Sequence, residues 1–101
     1  MLFRSAGDDI LIAGGRSSAM ISGGAGDDSI IGSAAGDVLA GDDSNDLIEG
    51  EAGDDLLRGG AGDDSLHGGL GNDVLIGGEG NDIAIYAGTF SQYQKIGRAH
   101  V

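Results

Sequence analysis

The chain has no cysteine, proline or tryptophan among its 101 residues, and only 4% of them are aromatic. Without cysteine it can form neither disulfide bonds nor thiolate metal sites. With so few large aromatic side chains, a core of the usual globular kind is not expected. The composition therefore favours order that comes from the regular stacking of small units.

Basic residues are also scarce, with 5 Lys and Arg against 17 Asp and Glu, and the formal net charge is -12. Phosphate contacts need Lys and Arg, so nucleic acid is excluded as a natural partner. No apolar run approaches transmembrane length, and we expect no membrane insertion by this segment. A chain this acidic repels itself and stays expanded unless cations neutralise it. The charge therefore predicts divalent cations that bind oxygen.

Glycine is abundant, with 22 residues, and it frames an aspartate that recurs every nine residues. The recurring aspartates are Asp28, Asp37, Asp46, Asp55, Asp64, Asp73 and Asp82, with Asp9 in an earlier partial unit. Taking the first glycine of each unit as position one, the units start at Gly14, Gly23, Gly32, Gly41, Gly50, Gly59, Gly68 and Gly77. A fixed short period predicts a solenoid in which each unit is one turn and one strand.

Position eight of every unit is apolar, whereas positions seven and nine are mixed. The position-eight residues are Leu11, Ile21, Ile30, Leu39, Ile48, Leu57, Leu66, Leu75 and Ala84. A three-residue strand with only its middle residue always apolar points that residue inward. Two units then make one coil, with position-eight side chains meeting between two sheets. Each buried Leu or Ile contributes about 1.5–3 kcal/mol.

The units 59–67 (GGAGDDSLH) and 68–76 (GGLGNDVLI) show the repeat most clearly. They resemble the RTX (repeats-in-toxin, hemolysin-type) nonapeptide GGxGxDxUx, a calcium-binding repeat. The resemblance covers about residues 6–86. It implies an all-β fold, a right-handed parallel β-roll, with calcium ions held between adjacent turns on each side.

Calcium takes about six to eight oxygen ligands from carboxylates and backbone carbonyls. Successive turns alternate sides, so facing aspartates belong to units two apart. One side stacks Asp9, Asp28, Asp46, Asp64 and Asp82, and the other stacks Asp37, Asp55 and Asp73. The expected carbonyl ligands are Gly23, Gly41, Gly59, Gly60, Gly62, Gly68, Gly69, Gly71 and Gly77. We expect about five to six calcium ions, the sixth between Asp9 and Asp28.

Some units depart from the repeat. The unit at Gly14 carries Arg16 and has Ala19 at position six, so we expect no ion between Ala19 and Asp37. Three later units place other residues where glycine is usual: Ser33 and Ala35, Asp42 and Ser44, and Glu51. Carbonyl ligation survives if the turn keeps its shape, but a non-glycine residue at positive φ costs about 1 kcal/mol. The middle units should therefore bind more weakly.

Asn and Asp at position five are expected to be exposed turn formers.

No catalytic centre is evident. His67 falls at an outward strand position and is expected to be a surface residue, and the His-Glu-x-x-His zinc motif is absent. Acidic pairs such as Asp63 and Asp64 recur with the repeat, whereas a general acid and base would form a single pair. We therefore expect no enzymatic activity and no cofactor other than calcium in this fragment.

Residues 1–86 are predicted to form the calcium-binding roll, and 87–95 the start of a capping strand. Tyr86, Phe90 and Tyr93 would cover the open end of the coil. Residues 96–101 continue no pattern and read like the translation of a sequencing-adapter oligonucleotide, which indicates a non-native tail. We expect the chain to be a monomeric module of a longer protein.

The resemblance implies a module of a secreted bacterial protein that folds when it binds calcium after export, by type I secretion in this family. Two alternatives remain open. The array could be a scaffold or adhesin segment, or it could be the C-terminal secretion module of a protease or lipase whose catalytic domain lies elsewhere in the parent protein.

Overall fold

The computed structural model describes residues 7–85 in full and residues 92–100 as backbone. Seven strands of three residues each occupy the last three positions of successive repeats, and two longer strands follow. The strands are β1 (Ile10–Ile12), β2 (Met20–Ser22), β3 (Ser29–Ile31), β4 (Val38–Ala40), β5 (Leu47–Glu49), β6 (Leu56–Arg58), β7 (Ser65–His67), β8 (Val74–Ile85) and β9 (Gln92–His100). These residues include no helix, and hence none long and apolar enough to cross a membrane.

Each strand pairs in parallel with the strand two units away. Strands β1, β3, β5 and β7 form one face, β2, β4 and β6 form the other, and β8 joins both. Ile30 pairs with Ile48, one coil of two units further along. Leu11 pairs with Ile30 because the first partial unit has one extra residue before Gly14. The prediction of an all-β parallel solenoid is confirmed, with about four turns.

The core is the single column of position-eight side chains that the sequence predicts. Its buried members have exposed fractions of 0–3% and are Ile21, Ile30, Leu39, Ile48, Leu57, Leu66, Leu75 and Ala84. Leu11 packs against this column but is only partly buried. The position-eight side chains of both faces therefore form the core between them.

The outer faces differ from each other at position seven. On the face of β2, β4, β6 and the start of β8, the position-seven residues are all apolar and lie in register. This row is Met20, Val38, Leu56 and Val74. On the other face, serines interrupt the equivalent row, as at Ser29 and Ser65. Position seven is therefore uniformly apolar on one face and mixed on the other.

The C-terminal end departs from the three-residue strand. Strand β8 continues through the turn 77–82 because β9 pairs with it in parallel, from Val74–Gln92 to Ile83–His100, with two shifts of register. Strand β9 covers residues 92–95 of the predicted capping segment and residues 96–100 of the predicted non-native tail. Tyr86 and Phe90 lie outside the described residues and Tyr93 is described only as backbone, so the cap, the tail and the domain boundaries stay predictions.

Candidate calcium sites

The position-six aspartates form two buried stacks. From Asp28 to Asp82, each has an exposed fraction of 4% or less, whereas Asp9 is partly buried. Each backbone N–H donates to Oδ1 of the aspartate one coil further along, at 2.8–2.9 Å. The pairs are Asp9–Asp28, Asp28–Asp46, Asp46–Asp64, Asp64–Asp82, Asp37–Asp55 and Asp55–Asp73. The structure therefore brings together the aspartate pairs that the sequence predicts.

The second carboxylate oxygen is left without a hydrogen bond at four of these aspartates. Oδ2 of Asp28, Asp46, Asp55 and Asp64 is buried and accepts no hydrogen bond from the described residues. Leaving a buried acceptor unsatisfied costs about 1–3 kcal/mol, and more when the group is charged. These oxygens are the strongest structural indication of a bound cation.

A backbone carbonyl of the next coil lies close to the same oxygen. A Cβ added to Gly23 would lie 2.5 Å from Asp28 Oδ2 and 3.0 Å from the Gly41 carbonyl oxygen. At Gly50 the equivalent distances are 2.5 Å to Asp55 Oδ2 and 2.8 Å to the Gly68 carbonyl. Carboxylate and carbonyl oxygens that converge in this way fit the ligand preference of calcium.

This geometry also explains why position one is glycine in the units from Gly23 onward. Gly23 and Gly50 do not adopt positive φ, so a side chain is excluded there by the aspartate and the carbonyl of the next coil. The requirement for glycine at position one is steric, whereas the sequence alone pointed to both turn conformation and close approach.

Burial makes these carboxylates hard to ionise. It is the largest cause raising the pKa of Asp46 and Asp55 to about 7 and that of Asp64 to about 8, from an ordinary value of 3.8. The backbone N–H that each carboxylate accepts lowers these pKa values, and the negative charge of nearby aspartates raises them. The pKa of Asp28 is raised for the same reasons. A cation bound to the ionised carboxylates would offset the cost of burying their charge.

The other predicted carbonyl ligands lie along the turns. The Gly60 carbonyl would be 2.5 Å from a Cβ on Gly78 of the next coil, and the Gly62 carbonyl faces Gly80 in the same way. Gly69 and Gly71 take the equivalent places on the other side. Within residues 7–85, no three His, Cys, Asp or Glu side chains cluster to hold a metal. Each site would depend on two carboxylates and on carbonyl oxygens, and the individual ligands stay predictions.

Position five carries a second hydrogen-bond ladder that sequence reasoning missed. The side chains are exposed, as expected, but the N–H of Asn45 donates to Asp27 Oδ1 and that of Asp63 to Asn45 Oδ1, at 2.8 and 2.7 Å. This ladder runs back toward the preceding coil, opposite in direction to the position-six ladder. The signal was present in the near-constant Asp or Asn at position five.

Among the departing units, two keep the turn of the glycine repeat. Asp42, Ser44 and Glu51 adopt φ of 72–74°, the left-handed conformation that glycine takes elsewhere. Ser33 and Ala35 do not adopt it, so the turn 32–37 has a different shape. Ala19 has no carboxylate, but its N–H still donates to Asp37 Oδ1 at 2.8 Å.

The fold is a parallel solenoid with two stacks of buried aspartates. A backbone carbonyl lies beside each stack, and glycine occupies the positions where a side chain would collide with them. These features define a calcium-binding repeat protein. The family model for the RTX calcium-binding nonapeptide repeat, in four copies, matches residues 22–57, 31–66 and 49–84. The chain belongs to this family and is a calcium-binding repeat module. A search of the curated proteins found no match.

Proposed function

We propose that this module folds when calcium binds between its successive coils, after the protein has been exported from a bacterial cell. The observation that carries the proposal is the set of buried Oδ2 atoms without hydrogen-bond partners at Asp28, Asp46, Asp55 and Asp64. In the ionised form, these carboxylates oppose folding until a cation joins them to the facing carbonyl.

Calcium binding would supply the folding free energy that the core lacks. The apolar core contains only one residue from each nine-residue unit, and the net charge of -12 opposes compaction. A ligand that binds only the folded state stabilises it by about 2.7 kcal/mol per site at one hundred times its Kd. Several sites along two stacks then make folding depend steeply on calcium.

This dependence on calcium supports the proposed secretion. A chain that stays expanded at the low calcium concentration of the cytoplasm suits passage through a narrow channel, and millimolar calcium outside would fold it. RTX repeats are typical of secreted bacterial proteins, which supports export by type I secretion. We propose a non-catalytic, monomeric role for these repeats within a longer protein.

Circular dichroism tests the folding switch. We expect a disordered spectrum in chelator and a β-rich spectrum in millimolar calcium, with a cooperative titration because each interior aspartate would serve two ions. Magnesium is the matched control and should substitute poorly, because it requires a tighter octahedral shell and loses water reluctantly. A β-rich spectrum that chelator leaves unchanged would contradict the proposal.

A further inference from the structure

The turn 32–37 satisfies its aspartate from within the turn. The Ser33 N–H donates to Asp37 Oδ2 at 2.7 Å, and the Ser33 hydroxyl donates to Asp37 Oδ1 at 2.7 Å. The same hydroxyl oxygen accepts the Ala35 N–H at 3.1 Å. Ser33 is itself 2% exposed, so these bonds are shielded from water. One serine thus organises the whole turn.

Asp37 therefore differs from the other interior aspartates. Asp55 and Asp64 each accept one backbone N–H on Oδ1 and have an unsatisfied Oδ2. Asp37 instead accepts two donors on Oδ1, from Ser33 and Ala19, and one on Oδ2. A cation at Asp37 Oδ2 would have to displace an N–H that already occupies the oxygen.

The backbone conformation of the turn 32–37 also differs from that of the calcium-binding repeat. Positions two and four take positive φ in the units at Gly23, Gly41, Gly59, Gly68 and Gly77. Ser33 and Ala35, at those positions, do not. The carbonyl groups of the turn 32–37 are therefore presented differently from those of the calcium-binding repeat.

We propose that Ser33 takes the place of a calcium ion at Asp37, so that the Asp37–Asp55 pair binds none. This inference rests on the proposed calcium-dependent function and removes one site that the sequence predicts. Since Ala19 supplies no carboxylate, the side that carries Asp37 would hold an ion only between Asp55 and Asp73. The opposite side would hold the remaining calcium ions, so the two sides of the solenoid would bind different numbers of ions.

Counting bound calcium at saturation tests the inference, by equilibrium dialysis with metal analysis. Asp55→Asn and Asp64→Asn are a matched pair, because both residues lie inside a stack, are buried and make the same ladder contacts. Asp55 would serve one site and Asp64 two. We expect the loss of about one ion for Asp55→Asn and about two for Asp64→Asn. Equal losses would overturn the inference.

Restoring glycine at the turn provides the converse test. The double variant Ser33→Gly with Ala35→Gly should bind about one more ion than the unchanged protein, and adding Asp37→Asn should remove it. Ala34→Gly in the same turn is the control and should leave the count unchanged. No gain, or a gain that survives Asp37→Asn, would overturn the inference.

The unchanged protein tests the proposed function separately. If it binds calcium, the proposed function is supported, and if it binds none, that function is refuted.

Discussion

The backbone N–H of Asp46 donates to Oδ1 of Asp64 at 2.8 Å, while Oδ2 of Asp64 is buried and accepts no hydrogen bond from residues 7–85. The two oxygens of one carboxylate therefore have different roles. Oδ1 accepts the backbone hydrogen bond that links successive coils, and Oδ2 would be free to bind a cation. This division lets the carboxylates stay in register whether or not they are charged.

Asp64→Ala should raise the calcium midpoint of folding more than Asp82→Ala. Asp64 would contribute to two sites, shared with Asp46 and with Asp82, whereas Asp82 would contribute to the one it shares with Asp64. Circular dichroism titrations of the two variants and the unchanged protein measure the midpoints. If the two substitutions shift the midpoint equally, the ions are not shared between successive aspartates.

Acid should promote folding in the absence of calcium. Burial raises the pKa of Asp46 and Asp55 to about 7 and of Asp64 to about 8 in the folded state, above the ordinary 3.8. The folded state therefore binds protons more tightly than the unfolded state, so this contribution to stability is present below about pH 3.8 and is lost as the pH rises through 7–8.

Far-ultraviolet circular dichroism of calcium-depleted protein from pH 4 to pH 8.5 measures this effect, and the β-sheet signal should fall as the pH rises. With calcium present the direction reverses, because protons compete for the ligands, and the calcium midpoint should fall with rising pH. A β-sheet signal that grows with pH in calcium-depleted protein would contradict the burial of these carboxylates.

Gly50→Ala should weaken calcium-dependent folding far more than Gly14→Ala. A methyl group at Gly50 would lie 2.5 Å from Asp55 Oδ2 and 2.8 Å from the Gly68 carbonyl, both of which would have to move. Gly14 has φ of 66° but no atom within 4 Å of the added methyl, so its substitution costs only about 1 kcal/mol of backbone strain. Calcium midpoints of the two variants measure the difference. Equal shifts would contradict the steric requirement for glycine at position one.

Ser44→Gly should stabilise the calcium-bound protein by about 1 kcal/mol, because Ser44 adopts φ of 72°. Asp42→Gly relieves similar strain but removes a carboxylate that accepts hydrogen bonds from the Ser22 hydroxyl and the Gly24 N–H. Its net gain should therefore be smaller. Thermal unfolding in saturating calcium compares the two variants, and a larger gain for Asp42→Gly would show that its side-chain contacts contribute nothing.

The sequence allowed the core, the register and the aspartate stacks to be predicted, because each depends on the nine-residue period. Ile30, Ile48 and Leu66 are buried since they share position eight, and Asp46 faces Asp64 since they lie two units apart. Because one coil contains two units, residues at the same position in units two apart lie one coil apart. The nine-residue period alone determines which of these residues are neighbours.

Features that depend on atoms within a unit could not be predicted from the period. The different roles of Oδ1 and Oδ2 in Asp64 depend on side-chain rotation. The bonds from Ser33 to Asp37 follow from a turn that abandons positive φ, which the sequence indicates only as a missing glycine.

The alternation of successive units between two faces constrains how such an array can change in length. Removing one nine-residue unit would keep the apolar column and the aspartate spacing, but would move every later unit to the opposite face. The aligned row of Met20, Val38, Leu56 and Val74 would then be interrupted by serines from the other face. Removing eighteen residues, one full coil as in the spacing of Asp46 and Asp64, would leave each face as it is. Gains and losses that preserve the outer surface must therefore come in even numbers of repeats.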